Sequence, residues 1–239
     1  MTDKEYLEKY LPKEKIAEGL KKLKNNIPPQ YIVGNVDFYD VNLLVNENVL
    51  IPRFETELLV EKTINYAKQY FQNKIDLLDI ATGSGNIAIT LKKHLNAKVV
   101  ASDISIKALE IAKKNAQRNK QEITFIQSDM LDKIKGKFDI IISNPPYVST
   151  EDPIDEIVKN NEPHLALYAK EDGLYYYKKI LQEIKPYLKE KSLIAFEIGY
   201  KQSEKITNFI KQYLPDAIFK TEKDLTGKDR FIFIFQNLA

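Results

Sequence analysis

The sequence predicts an α/β protein: a mostly parallel seven-stranded sheet with an antiparallel last strand, preceded by a short helical segment and a β-hairpin. Three observations carry this expectation. From Lys74 onward, short apolar runs alternate with amphipathic stretches of helical period, the pattern of strand–helix units covering both faces of a parallel sheet. The runs Ile75–Ile80 and Phe138–Ser143 are dominated by Ile and Leu, as strands buried on both faces are. The last two runs, Ala217–Glu222 and Arg230–Gln236, are joined only by Lys223–Asp229. That is too short for a crossover helix, so they should pair antiparallel.

Residues 3–24 are rich in Lys and Glu, with Ile16, Leu20 and Leu23 at helical spacing; they read as one or two short helices broken near Pro12. Ile27-Pro28-Pro29 is a linker. Tyr31 to Ile51 alternates apolar and polar residues around Asn35 and Asp40, a small hairpin. Pro52 opens a helix reaching about Phe71. The alternation then runs strand Ile75–Ile80, helix Asn86–Leu95, strand Ala97–Ser102, helix Ser105–Asn119, strands Glu122–Gln127 and Phe138–Ser143. Helix Asp172–Leu188, strand Ser192–Glu197, helix Lys201–Tyr213 and the two final strands complete it. Three units are expected: a short N-terminal helical segment over 1–27, a linker and hairpin over 28–52, and the sheet domain over 53–239.

Composition narrows the function classes. The 239 residues are 44% hydrophobic and 29% charged, and the net charge of +2 gives no electrostatic case for a nucleic-acid partner. With no cysteine, disulfides and thiolate metal sites are excluded; with only His94 and His164, so is a histidine-based cluster. No metal is therefore expected. There is no apolar stretch behind the charged N-terminus, and no apolar run approaches the roughly 20 residues of a membrane helix. The expectation is a soluble, cytoplasmic, monomeric protein without a membrane partner. Arginine occurs only at positions 53, 118 and 230 in a chain whose default cation is lysine, which suggests a use for the planar guanidinium at those places.

The most informative tetrapeptide is Asn144-Pro145-Pro146-Tyr147, directly after the strand Phe138–Ser143. Loops at the carboxyl ends of parallel strands are where open α/β sheets bind ligands. The Asn144 side-chain oxygen can accept one N–H of an amine or amide, and the Pro145 carbonyl the other. Pro146 fixes that carbonyl, having no N–H of its own, and Tyr147 can wall the slot with a flat face. A nitrogen held by two acceptors keeps its lone pair free to point at an electrophile.

A second constellation supplies a place for that electrophile. Asp79-Ile80-Ala81-Thr82-Gly83-Ser84-Gly85-Asn86 ends one strand and opens a helix. Gly83 and Gly85 allow a sharp turn and a close backbone approach. Asp103 ends the next strand, where a carboxylate can accept from two ribose hydroxyls. Asp129 follows the third strand and could take an adenine amino group, with Met130 packing on the ring. This spacing suits a nucleoside-containing cofactor held by Ala81, Thr82, Gly83, Ser84, Gly85, Asp103, Asp129, Met130 and Asn144. Gly83, Gly85 and Ala88 also satisfy the dinucleotide pattern. Asp79 leans against it, since a carboxylate before the loop repels a pyrophosphate but tolerates a sulfonium or an amino group.

Taken together, the glycine loop, Asp103 and Asn144–Tyr147 resemble the class I S-adenosylmethionine-dependent methyltransferases that modify amino groups. More specifically, the chain resembles the protein-(glutamine-N5) methyltransferases of peptide chain release factors. Gln30–Gly34, Phe38-Tyr39, Leu50–Glu57, Asn161–Leu167, Glu171–Leu174, Glu197–Gly199 and Asp224–Arg230 match that family in order, from about Pro29 to Phe235. Phe54 replaces the second proline of the family's Pro-Arg-Pro-x-Thr-Glu signature, and fewer than about 30 residues stand where the family usually carries several helices for docking substrate. The resemblance implies a Rossmann-like fold and S-adenosylmethionine as methyl donor. It also implies methylation of the glutamine amide in the Gly-Gly-Gln loop of a release factor, with Asn144, Pro145, Pro146 and Tyr147 as the catalytic slot. Arg53 and Glu57 would shape the loop over the cofactor, and Arg230 would pair with Asp229. His164 would pack, and His94 would sit solvated at a helix end. Two other chemistries share parts of these motifs: an amino-methyltransferase acting on a flipped base, and a nicotinamide oxidoreductase. The first would want a basic stripe, the second would leave the Asn-Pro-Pro-Tyr slot without a purpose. A binding module without turnover is the third alternative.

Overall fold

In the computed structural model, which describes residues 2–238, the N-terminal segment folds as two helices, α1 (Asp3–Tyr10) and α2 (Lys13–Lys24). Thr2 and Glu5 close a reciprocal capping box on α1. A short helix, α3 (Pro29–Val33), occupies the stretch read as linker and hairpin start. Its proline lies in the first turn, where a missing N–H is harmless, and Gly34 at φ 81° supplies the left-handed cap that ends it. The hairpin is consequently shorter: β1 (Asn35–Phe38) and β2 (Val41–Leu44) pair antiparallel from Asn35–Leu44 to Phe38–Val41.

Helix α4 (Phe54–Tyr70) leads into the alternating region: β3 (Ile75–Ile80), α5 (Asn86–His94), β4 (Ala97–Asp103), α6 (Ile106–Arg118), β5 (Thr124–Gln127) and β6 (Phe138–Ser143). Three short helices follow, α7 (Glu156–Asn161), α8 (His164–Leu167) and α9 (Lys170–Gly173), none long enough to show a period in sequence. Helix α10 (Tyr175–Glu183) is shorter than expected because Pro186 forces a 3-10 turn over Lys185–Tyr187. Strand β7 (Leu188–Glu197) starts earlier than expected: buried Leu188 pairs with Phe138, and the polar residues after it fall where the β6–β7 register shifts, with Lys189 bonded to Asp76 and Asp139. Helix α11 (Ser203–Tyr213), β8 (Ile218–Lys223) and β9 (Asp229–Gln236) close the chain.

The seven strands lie in the order β5-β4-β3-β6-β7-β9-β8, with β3, β4, β5, β6 and β7 parallel and β9 antiparallel to both its neighbours. Strand alternation divides the apolar residues between two cores. Ile140 and Ile142 of β6 and Phe231, Phe233 and Phe235 of β9 face the side covered by α4 and α5, with Leu59, Val60 and Leu91. Ile141, Ile232 and Ile234 face the other, with Ile180 and Leu181 of α10 and Ile206 and Ile210 of α11. The chain leaves β3 toward one edge and returns through β6 toward the other. The β3–β6 junction is thus the topological switch point, and Ser143 Oγ donates to the Ile80 carbonyl there at 2.7 Å. Buried Asn115 of α6 locks the hairpin onto this end of the sheet. It accepts from Leu44 N–H at 2.7 Å and donates to the carbonyls of Leu44 and Ser84 at 3.0 and 2.9 Å.

Candidate active site

A cleft of about 950 Å³, open to solvent, lies at the switch point, over the carboxyl ends of β3, β4 and β6. Its floor is the turn between β3 and α5. Ala81, Gly83 and Gly85 all take positive φ there, at 59°, 55° and 83°. The two glycines differ in purpose. A side chain on Gly83 would meet nothing within 4 Å, so its bare face is the surface a ligand could approach. A side chain on Gly85 would press on Ile89 and Ala112 at 3.1 and 3.2 Å, so Gly85 lets α5 and α6 pack and does not line the cleft. Asp79 is also behind the loop. It is wholly buried, and its Oδ2 accepts from Thr82 Oγ1 at 2.5 Å and from Ala88 N–H at 3.2 Å. Its Oδ1 has no partner, and burial pushes its carboxyl up to about 7.

Asp103 ends β4 with each oxygen already bound once, Oδ2 to Gly83 N–H and Oδ1 to Ser105 N–H, both at 2.9 Å. These bonds set the carboxylate at the cleft wall and leave it further acceptor capacity. Burial raises its pKa, against the pull of the backbone donors. Asp129 and Met130 line the same cleft next to Asp103, with Tyr176; Ser128 N–H donates to the Asp103 main-chain carbonyl at 3.0 Å. Lys179 of α10 reaches Asp129 at 3.0 Å, a partner that no local motif announces.

Asn144 and Pro146 line the cleft; Pro145 and Tyr147 do not. Tyr147 turns its hydroxyl back toward Glu197 Oε1 at 3.4 Å, and burial raises its pKa. Asn144 donates through Nδ2 to Thr56 Oγ1 at 3.2 Å, and Thr56 donates to Glu197 Oε2 at 2.7 Å. With one Nδ2 hydrogen so engaged, Oδ1 accepts no hydrogen bond among the described residues and can act as an acceptor in the cleft that Asn144 lines. The Glu197 main-chain carbonyl accepts from Tyr177 Oη at 2.7 Å. Gly173 supports the same loop from below: at φ 82°, any side chain would strike the Tyr147 carbonyl oxygen.

Two segments form the rim above the glycine loop, one running from Asn48 to Arg53 and the other from Pro163 to Ala166. Glu162, buried, joins them, accepting from Ile51 N–H at 3.0 Å and from the Arg53 guanidinium. The expected pairing of Arg230 with Asp229 is not formed. Neighbouring residues on a strand point to opposite faces; Arg230 reaches Asp224 at 3.3 Å and the Ile198 carbonyl at 3.2 Å, while Asp229 accepts from Ser203 at 2.7 Å. His94, last in α5, meets Asp40 at 3.0 Å, and His164 meets the Lys159 carbonyl at 2.8 Å.

Ala81, Thr82, Gly83, Ser84, Asp103, Asp129, Met130, Asn144 and Pro146 thus converge on one cleft. Thr56, Glu197, Glu162 and Lys179 act on it without having been singled out from sequence. Thr56, Glu162 and Glu197 fall inside segments that resemble family motifs, the only signal that could have drawn attention to them. Among the described residues no group of three or more His, Asp or Glu could hold a metal ion, and no helix is long and apolar enough to cross a membrane.

A glycine-floored cleft with an acidic residue at the end of the second strand, on a sheet of this order, defines a class I methyltransferase. Residues 55–167 match the methyltransferase small domain family. The release factor glutamine methyltransferase of Lactococcus lactis is 44% identical over 92% of this chain and 81% of its own length. That of Streptococcus pneumoniae is 41% identical over 93% of this chain and 80% of its own. The chain belongs to the release factor glutamine methyltransferase family. In structure, the protein-(glutamine-N5) methyltransferase of Alicyclobacillus acidocaldarius shares the fold, with a TM-score of 0.50 at 24% identity over 80% of this chain and 98% of that one.

Proposed function

We propose that this protein transfers a methyl group from S-adenosylmethionine to the side-chain amide nitrogen of the glutamine in the Gly-Gly-Gln loop of a peptide chain release factor, in the cytoplasm. The observation that carries this reading is the orientation of Asn144: its amide nitrogen is engaged by Thr56, so an acceptor oxygen is what it offers the cleft. An acceptor suits an NH2 group and nothing anionic. The cofactor fits the residues present, since the open face of Gly83 accommodates a close ligand and Asp103 retains lone pairs for ribose hydroxyls. Bound there, S-adenosylmethionine would supply an electrophilic methyl carbon on a sulfonium, with a neutral thioether as its leaving group.

The protein's part is positioning. An amide nitrogen is a weak nucleophile because its lone pair is delocalised into the carbonyl. Asn144 Oδ1 accepts one N–H, and the Pro145 carbonyl, which the loop holds just outside the cleft, accepts the other once the loop turns it inward. These two acceptors fix the amide plane and polarise both N–H bonds, and positioning of this kind is worth about 7–11 kcal/mol in well-oriented reactions. The methylated nitrogen releases its extra proton to water without a dedicated base. A basic stripe for a nucleic-acid target is not suggested by the net charge of +2.

Mass spectrometry of a purified release factor incubated with the protein and S-adenosylmethionine tests the proposal. One methyl gained on the loop glutamine, and absent with Asn144→Ala, supports it. No gain by an enzyme that binds the cofactor overturns the substrate assignment.

A further inference from the structure

We infer that Glu197, acting through the Thr56 hydroxyl, sets which end of the Asn144 amide faces the cleft, and is a positioning residue for the transfer. The inference rests on the reading of Asn144 as the acceptor of the substrate N–H. Its argument is a count of hydrogens. An ionised carboxylate has none to give, so the single hydrogen of Thr56 goes to Glu197 Oε2 at 2.7 Å. The Thr56 oxygen can then only accept, and the group 3.2 Å from it on Asn144 must be the NH2. That network, not the position of the loop, assigns the amide its orientation. Asn144 in isolation could lie either way round at equal cost.

The relay has a defined failure. If Glu197 takes up a proton at Oε2, it becomes the donor and Thr56 its acceptor. The Thr56 hydrogen then turns to Asn144, which must offer its oxygen inward and its NH2 to the cleft. Two NH2 groups would face each other where substrate should be held. Tyr147, donating toward Oε1 at 3.4 Å, keeps that oxygen an acceptor and directs the proton to Oε2. The groups facing Glu197 are Thr56 and Glu55 from α4, Tyr147 from the loop after β6, Arg230 from β9, and Tyr177 of α10 on its main-chain oxygen. Burial raises the Glu197 carboxyl to about 7, with Thr56 and Arg230 opposing and Glu55 adding to the shift, so the protonated form is accessible near neutrality.

The test reads the amide directly as well as the reaction. In a 15N-labelled sample, the Asn144 side-chain NH2 resonances, assigned by their loss in Asn144→Ala, should titrate with a midpoint near 7 in the wild-type chain. Glu197→Gln, which cannot take up that proton, should abolish the titration; Asp79→Asn, which removes the other carboxyl raised to about 7, should leave it in place. In the methyl-transfer assay at saturating cofactor, Thr56→Val, equal in size but without the hydroxyl, should lower kcat by roughly 10²-fold. Thr56→Ser should restore most of it, which a purely structural role for Thr56 does not require. An Asn144 titration that persists in Glu197→Gln, or a Thr56→Val enzyme as fast as wild type, overturns the relay. A wild-type chain that methylates no release factor, while its Asn144 resonances titrate as expected, overturns the substrate assignment and leaves the relay standing.

Discussion

Arg53 and Glu162, 109 residues apart, form an ion pair whose carboxylate is buried and whose guanidinium is one-third exposed. Glu162 also takes the Ile51 N–H, so one carboxylate fastens both halves of the rim. Removing Arg53 leaves that charge buried against a single backbone donor. Breaking a fully buried pair costs about 3–5 kcal/mol; with Arg53 partly solvated, about 2 kcal/mol is expected for Arg53→Ala. Urea unfolding measures the loss. Isothermal titration with the cofactor should show weaker binding as well, because the rim segment Asn48–Arg53 is what loosens.

Asp103→Ala should weaken cofactor binding by about 10- to 100-fold, the worth of a hydrogen bond to a charged group. Part of this comes indirectly, because Gly83 N–H loses its acceptor and the loop loses a restraint. Adenosine should lose affinity in parallel with the whole cofactor. A loss confined to the whole cofactor would place Asp103 away from the ribose.

Asn144→Ala should behave differently. Removing a preorganised group that contacts the reacting centre costs roughly 10²–10³ in kcat, while cofactor affinity changes far less. Single-turnover rates with enzyme in excess separate the two, and an equal fall in binding and rate would show that Asn144 serves the cofactor alone.

Stability should fall as pH rises from about 4 to 7. Asp79 and Glu197 start from ordinary values of 3.8 and 4.5 and are both raised to about 7 by burial. Between those limits the folded chain holds more protons than the unfolded one, so stability is greatest at the acid side of the window and is lost through the folded values. Glu222 and Asp224, held down to about 2 by their partners, act in the opposite sense, and their contribution is lost only as pH falls toward 2. Melting temperatures across pH 4.5–8.5 should decline in the wild type. Asp79→Asn and Glu197→Gln should each flatten the decline.

Gly173→Ala should cost more than the ordinary strain of a left-handed alanine, about 1 kcal/mol. The added methyl would meet the Tyr147 carbonyl, which is backbone, and the Gln202 amide that donates to it. Glu171 and Asp172 before it also have φ of 55°, so the turn has little latitude left. The slot shifts with Tyr147, and kcat should fall together with the melting temperature.

Much of this architecture was legible because its signals are local. The sheet strands, the glycine loop and the aspartate of β4 are each written within a few consecutive residues, and period and turn chemistry suffice to read them. The short helices α3, α7, α8 and α9 were not, since four to six residues cannot show a period. Nor was the reach of Lys179 to Asp129, or the pairing of Arg230 with Asp224 in place of Asp229. Thr56 and Glu197 lie 141 residues apart, and only the folded sheet reveals that one orients the other. Asp79 reads as a residue facing the ligand because it precedes the loop; it is instead buried behind the loop, with Thr82 and Ala88 both on its Oδ2.

The separations along the chain have a consequence for any attempt to divide this protein. Asn144 meets Thr56 across 88 residues, Thr56 meets Glu197 across 141, and Glu162 meets Ile51 across 111. No contiguous fragment that omits either end of this span can hold the slot in working order, however well its own strands pair. Methyl transfer is accordingly an all-or-none gauge of folding: a truncated or partly refolded chain can recover its secondary structure and still be silent in the assay.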